Sequence, residues 1–540
     1  MAFPPQAVPR LITTSTARAS MARSTMLTQR RSLRPLVPMA GVTWLAYLGL
    51  FVLVFSPAIR VYDAGSLPYW TWLRTAAYVL APNTLLSAQA GSAATLVAVL
   101  GYIAIAALAF GSWLKAMRVA RSVEVQTPAT LLLMTVALAS PLLLLPGLVS
   151  DDLYLYNLYG RTIAVYGANP VLLPPSAFPA DPHLPWVHWS ELPSAYGPLW
   201  LMLSAALSAL GAASLTGTVV IYRLAGLALH LMAAWMLWQL LRERRPAAAL
   251  PGVIFYAWNP LVLLEAVANA HNDVLVALFA LLLVGASSRN RWSRAALYGA
   301  CAVMVKPFAI VLLPAAARHL WRQHEGRARY RRLAAASAVG AVTILAVSAP
   351  LWSGVALLRN AMGNPAASMY TNSLWELLSE ATARWFGLYT VDVQHPYLDI
   401  LRGIGFAAGT AWILTRPATR RDVPQVAIRL WLVFCLTACW VWPWYVVPVL
   451  ALAPLAGAAY LPTATALTVG GLLFWVGWPE RQVGPLGVLY DLRSLLLFGP
   501  LIAIWTWAPA RALVLAALGF RVRRRLGSDG VDGRLQTATG

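Results

Sequence analysis

Runs of apolar residues alternate with short polar segments along nearly the whole chain. They fall at 41–59, 92–110, 130–149, 218–241, 248–265 and 274–288, and again at 333–351, 400–415, 426–441, 444–460, 463–478 and 490–508. A helix rises about 1.5 Å per residue, so most of these runs approach the roughly 30 Å of a bilayer core. The pattern predicts an all-α, polytopic membrane protein. Two stretches resist a simple count. Residues 198–211 reach only about 21 Å, and a crossing there places Arg242-Glu243-Arg244-Arg245 outside. This stretch is therefore read as re-entrant or interfacial. Residues 295–317 lie between basic clusters at Arg289–Arg294 and Arg318–Arg332. A single crossing breaks the rule that basic loops stay on the cytoplasmic side. Pro307 interrupts the helical ladder, so two short helices hinged at Lys306-Pro307 are expected. The count is a bundle of about 12–14 transmembrane helices, with interfacial helices in the outer loops and both termini cytoplasmic.

Three regions follow. Residues 1–40 read as a disordered, basic cytoplasmic tail, 41–510 as the transmembrane domain, and 511–540 as a second basic cytoplasmic tail. Composition narrows the class. The chain has 540 residues, is 59% hydrophobic and 11% charged, and its mean hydropathy is +0.65. Twenty-four Trp residues suit aromatic belts at two interfaces. The net charge of +22 suggests nucleic acid at first sight. However, the basic residues come in short clusters between apolar runs, and no basic domain with interleaved aromatics stands outside them. Cys301, Cys435 and Cys439 all sit in apolar runs, with spacing for neither a disulfide framework nor a zinc site.

Chemistry enters where the polar residues do not suit the pattern. Asp151 and Asp152 follow directly on the run 130–149, and charges beside a span are costly unless used. Adjacent carboxylates repel, which favours proton uptake by one of them. The parity of crossings puts this pair on the outer side. The same side receives Glu265 with Asn269-Ala270-His271-Asn272-Asp273, Lys306, and the turn Trp442-Pro443-Trp444-Tyr445. Glycosyl transfer from a polyprenyl-phosphate donor needs little more. A carboxylate takes the proton of the acceptor hydroxyl, and Lys306 or Arg161 can neutralise the departing lipid phosphate. Tyr154, Asn169 and Tyr196, in the Pro-rich and aromatic loop 150–196, join Trp444 and Tyr445 as candidates for packing against sugar. Asp181, His183, His188 and Glu191 match no established ligand spacing, so neither a metal nor another cofactor is expected.

The segment Asp151-Asp152-Leu153-Tyr154-Leu155-Tyr156-Asn157-Leu158-Tyr159-Gly160-Arg161 resembles the first outer loop of GT-C integral-membrane glycosyltransferases. Gly167-Ala168-Asn169-Pro170 and Tyr196-Gly197-Pro198-Leu199-Trp200 extend the likeness. So do Asn259-Pro260-Leu261, Asn269 to Asp273, Lys306-Pro307-Phe308 and Pro443-Trp444-Tyr445, all in order. The chain is most similar in this respect to bacterial polyprenyl-phosphomannose-dependent alpha-1,6-mannosyltransferases, over roughly residues 130–450. The resemblance implies that a first-loop carboxylate is the catalytic base. It also implies that the second acidic cluster and the Lys-Pro hinge line the donor site, and that 198–211 is a juxtamembrane segment. Three apolar runs precede the first-loop acid here, two more than the single one of the family pattern. The expected function is transfer of a sugar, by resemblance mannose, from a polyprenyl phosphate to a glycan or lipid acceptor outside the cytoplasmic membrane. The alternatives are a flippase for lipid-linked sugars, which calls for pseudo-symmetric halves, and a glycan ligase or polymerase. No internal repeat is visible in the sequence.

Overall fold

The computed structural model describes residues 33–520 except 55–91, 124, 126, 146–149, 151, 188, 212–213, 365–366, 368, 387–395, 418–421 and 477–491. Asp151 and His188 therefore lie outside the described residues, as do 1–32 and 521–540 of the two expected tails. Among the described residues there are twenty α-helices and no strand; Thr371 and Trp440 form one isolated parallel bridge. The first helix already begins at Val37, inside the segment expected as tail.

Helix α1 (Val37–Val54) packs on α2 (Ser92–Ala120) and α3 (Ala129–Leu143). Helix α4 (Asp152–Ala164) lies along α5 (Pro198–Gly211), so closely that a Cβ on Gly160 would stand 2.3 Å from the Ser204 carbonyl oxygen. The long α6 (Leu215–Arg244) then runs past α7 (Ala249–Ala257), α8 (Pro260–Leu263) and α9 (Asp273–Ser288). Helix α10 (Trp292–Val305) ends at Lys306, whose extended backbone breaks the helix before a 3-10 turn and α11 (Leu313–Gln323). The expected hinge is thus present, and Pro307 is its cause. Beyond it come α12 (Gly326–Ser348), α13 (Ala356–Gly363), α14 (Leu374–Phe386), α15 (Pro396–Thr415) and α16 (Val423–Thr437). The chain closes with α17 (Val447–Ala456), α18 (Leu461–Phe474), α19 (Arg493–Thr506) and α20 (Ala508–Ala517).

Every residue of α7 and of α17 is buried, so these two short helices form the centre of the bundle. Helices all-round apolar and all-round buried are what a large membrane bundle places at its middle. Helices α12 and α15 bury little of their apolar surface and face outward. Among the described residues, four helices are long and apolar enough to cross a membrane, or six if each of two bent pairs counts as one span; six further apolar helices are shorter. The short ones end early for local reasons. Pro141 and Pro454 sit inside α3 and α17. The run 248–265 breaks at Asn259-Pro260 with a 49° bend. There Asn259 Oδ1 accepts from the backbone N–H groups of Leu261 and Val262 (3.1 and 3.2 Å), while Nδ2 donates to Thr468 Oγ1 at 2.8 Å. Arg223, buried within α6, donates to the carbonyls of Ala268 (2.8 Å) and Leu145, fastening the end of α3 to the segment before α9. A guanidinium so deep persists only with partners of this kind.

Candidate active site

Asp152 opens α4, and its Oδ2 accepts from the hydroxyls of Tyr156 (3.2 Å) and Tyr196 (3.5 Å). The first phenol comes from one turn along the same helix, the second from the end of the loop that leads into α5. Across from them stands His271, with Nε2 3.8 Å from Asp152 Oδ2. His271 Nε2 meets Ser150 Oγ at 3.1 Å, and Ser150 Oγ accepts the Asp152 backbone N–H at 3.2 Å. On its other edge, His271 Nδ1 meets Glu265 Oε2 at 2.9 Å. Glu265 also receives Asn269 Nδ2 (3.0 Å) and Trp475 Nε1 (2.8 Å).

This arrangement has a local cause. After α8 the chain adopts a π-turn, Leu264–Ala268, and then Ala270 takes a positive φ of 54°. π-Turns and left-handed non-glycine residues both cost energy and collect at functional sites. Together they bring Glu265, Asn269 and His271 to one point instead of spreading them around a helix. The His271 ring is stacked on Trp444, with centroids 3.8 Å apart, and Trp444 is stacked in turn on Trp442 at 4.8 Å.

Asp273, at the start of α9, accepts from Lys306 Nζ at 2.5 Å, with both side chains almost wholly buried. The Lys306 ammonium also lies over the Tyr445, Phe308 and Tyr196 rings, 5.1, 5.5 and 5.9 Å from their centroids. Such faces favour a cation. Tyr196 therefore touches both charged groups, its hydroxyl reaching Asp152 and its ring facing Lys306. Asn272 is buried beside this pair, and its amide has no hydrogen-bond partner among the described residues.

A cavity of about 730 Å³ opens on these residues. Asp152, Tyr196, Lys306, Trp444 and Tyr445 line it, so five of the sequence candidates share one space. Glu265, Asn269, His271, Asn272 and Asp273 stand behind this wall. Three others do other work. Tyr154 is buried with its ring 6.3 Å from Trp186. Asn169 donates to the Leu351 carbonyl and accepts from Val171 N–H, pinning the loop to the end of α12. Arg161 Nε donates to both Asp181 oxygens, at 3.1 and 2.8 Å. Burial pushes the Asp181 carboxyl up, but the His183 backbone N–H, Arg161 and Tyr166 more than offset it and hold it below the usual carboxylate range.

The cavity lining also includes a charged pair, Asp399 and Arg402, that the sequence pattern alone did not single out. Arg402 Nε donates to Asp399 Oδ1 at 2.7 Å, and Tyr370 Oη donates to the same oxygen at 2.9 Å. Arg402 and Asp399 line the cavity along with Trp189, Trp440 and Trp442. A charged pair three residues apart inside the apolar run 400–415 and its approach was the available signal. Among the described residues, no group of three or more His, Cys, Asp or Glu side chains is arranged to hold a metal ion.

Residues 47–322, just over half of the chain, match the family model of the alpha-(1->6)-mannopyranosyltransferase N-terminal domain. The chain belongs to this family. The match covers Asp152, Glu265, His271, Asp273 and Lys306, whereas Arg402 and the Trp442–Tyr445 turn lie beyond it. Among individual relatives of the family, alpha-(1->6)-mannopyranosyltransferase B of Corynebacterium glutamicum is 29% identical over 237 residues, which is 39% of this chain and 38% of that protein. A probable alpha-(1->6)-mannopyranosyltransferase of Mycolicibacterium smegmatis is 32% identical over 164 residues, or 30% and 28% of the two chains. An alpha-(1->6)-mannopyranosyltransferase of Mycobacterium tuberculosis is 30% identical over 149 residues, or 27% and 24%. The aligned part thus spans well under half the length of each relative.

Proposed function

We propose that this protein transfers a mannosyl group, forming an alpha-1,6 linkage, from a polyprenyl-phosphate donor to a glycan or lipid acceptor on the outer side of the cytoplasmic membrane. The observation that carries the reading is the convergence of Asp152, Lys306 and stacked tryptophans on one cavity, from segments more than 100 residues apart. The reaction is a single displacement. The acceptor oxygen attacks C1 of the mannosyl group and its proton passes to Asp152. The bond from C1 to the phosphate oxygen breaks, and the electron pair leaves with the lipid phosphate. Positioned acids and bases of this kind contribute about 10²–10⁴-fold. Lys306 and Arg402 both bring positive charge to the cavity lining, each already held by a carboxylate. Trp442 and Trp444 border the cavity and offer apolar ring surface to the C–H groups of a sugar, while the faces of Trp444 are taken by His271 and Trp442.

Charge supports the outward orientation. Helix α9 begins with Asp273 at the site and is followed by Arg289; α10 begins after Arg291 and ends at Lys306. The two helices thus carry the site at one end and basic residues at the other, as expected if the basic end is cytoplasmic. Purified protein in lipid, given polyprenyl-phosphomannose and an alpha-mannoside acceptor, is the test. Asp152→Asn, close in shape but a poor base, should lower turnover by at least 100-fold with folding unchanged. Full turnover in this variant sinks the assignment of Asp152. Transport of labelled lipid without covalent transfer would instead favour the flippase reading.

A further inference from the structure

Glu265 and His271 do not line the cavity, and the displacement above uses neither. Both are nonetheless wholly buried and ionisable. A carboxylate can only accept, so Glu265 fixes the proton of His271 on Nδ1. On the opposite edge Nε2 bonds Ser150 Oγ at 3.1 Å. Ser150 Oγ in turn accepts the backbone N–H of Asp152. Trp475 and Asn269 occupy the remaining approaches to Glu265, and Trp444 covers the face of the imidazole.

We propose that Glu265, His271 and Ser150 are positioning residues for Asp152, holding its carboxylate at the cavity and setting a buried negative charge behind it. The proposal rests on Asp152 being the base. Its physical content is twofold. The chain of bonds fixes the first turn of α4, and displacements of about 1 Å in a reacting geometry can cost 100-fold. The Glu265 charge also disfavours a second charge nearby, which strengthens Asp152 as a proton acceptor. Other groups face Asp152 as well: Tyr156 from its own helix, Tyr196 from the loop before α5, and His271 itself. Lys306 with Asp273 lies on the far side of Tyr196, beside Tyr445. Tyr156, Tyr196, Lys306 and Asp273 are unchanged in the variants below, whereas His271 loses its charged partner in Glu265→Gln, so a difference in pH response reports the Glu265–His271 pair.

The experiment compares the pH profile of kcat for wild type, Glu265→Gln, Ser150→Ala and Asp152→Asn in the same lipid. Glu265→Gln retains an acceptor for His271 Nδ1–H and removes only the charge. It should lower plateau kcat about tenfold, leave donor KM within about twofold, and move the acidic limb to lower pH, because Asp152 becomes the weaker base. Ser150→Ala, at the cavity wall, should lower kcat about tenfold with the limb in place. A limb unmoved or moved upward in Glu265→Gln, or wild-type kcat in either variant, overturns the positioning role. If Glu265→Gln does not fold, Ser150→Ala alone decides through its kcat. Active Asp152→Asn overturns the base assignment itself, a result separable from failure of the Glu265 chain.

Discussion

Gly197 gives the sharpest mechanical test of how the site is held. It sits between Tyr196 and Pro198, where its backbone N–H donates to the Val305 carbonyl at 3.1 Å. A Cβ at this position would lie 2.0 Å from the Met304 carbonyl oxygen and 2.2 Å from its carbon. Ordinary contact begins at 3.4 Å, so the two backbones must separate by 3.4 − 2.0 = 1.4 Å to admit one methyl group. Neither partner is a flexible side chain that can swing away. One of the displaced segments ends in Tyr196 and the other in Lys306. Overpacking of this type costs about 1–3 kcal/mol. Moving Lys306 away from Tyr196 by more than 1 Å should also lower turnover by about 100-fold. Gly197→Ala is therefore expected to unfold at lower denaturant and to lose most of its kcat. Gly41→Ala is the matched control, since a Cβ there has nothing within 4 Å and α1 gains a better helix former. Initial rates of mannosyl transfer, with unfolding in mixed micelles followed by tryptophan fluorescence, read both quantities. Wild-type kcat in Gly197→Ala would refute the claim that this contact sets the spacing between Tyr196 and Lys306.

Two further outcomes follow from paired charges. Lys306→Met leaves Asp273 buried without its partner and should destabilise by about 3–5 kcal/mol, whereas Lys306→Met with Asp273→Asn should be much less damaged than the sum of the single changes; additive losses in a double-mutant cycle would refute the coupling. The Asp181 carboxyl is held below its unfolded value, so its contribution to the loop 165–197 is fully present above about pH 4 and is lost as pH falls through the lower, folded value. Hydrogen exchange across that loop should rise with acid beyond the intrinsic trend, and Asp181→Asn should be open already at neutral pH.

Much of the fold is legible in the chain itself, and the limits are instructive. The hinge at Lys306 is readable because a proline directly after a lysine, in the middle of an apolar run, both breaks the helical ladder and leaves a charge that must reach a polar end. The grouping of Asp152, Lys306 and Trp444 follows from counting crossings, since basic clusters fix which ends of the runs share a side. What Glu265 and His271 do is not readable. Six residues apart, they fall on different faces of an α-helix, and only the π-turn with Ala270 at positive φ brings them together. Arg161 suits phosphate from its place in the first loop, but which anion a buried guanidinium meets is settled by tertiary packing; it meets Asp181, twenty residues on. Run lengths overstate the number of full-length helices because prolines and caps end them from within.

The shortness of α9 and α10 has a consequence of its own. Their 16 and 14 residues reach about 24 and 21 Å, against a hydrocarbon layer of roughly 30 Å. If their basic ends are anchored at the cytoplasmic headgroups, Asp273 and Lys306 rest several ångströms beneath the opposite headgroup plane. On the donor proposed above, a phosphate on a long isoprenoid tail would then have to sink to meet them, dragging its polar end into a region it normally avoids. The host bilayer fixes how far it sinks, because mismatch costs fractions of a kcal/mol per ångström. Turnover in vesicles should therefore follow acyl-chain length, rising where the membrane is thin enough to bring its own surface down to the lysine.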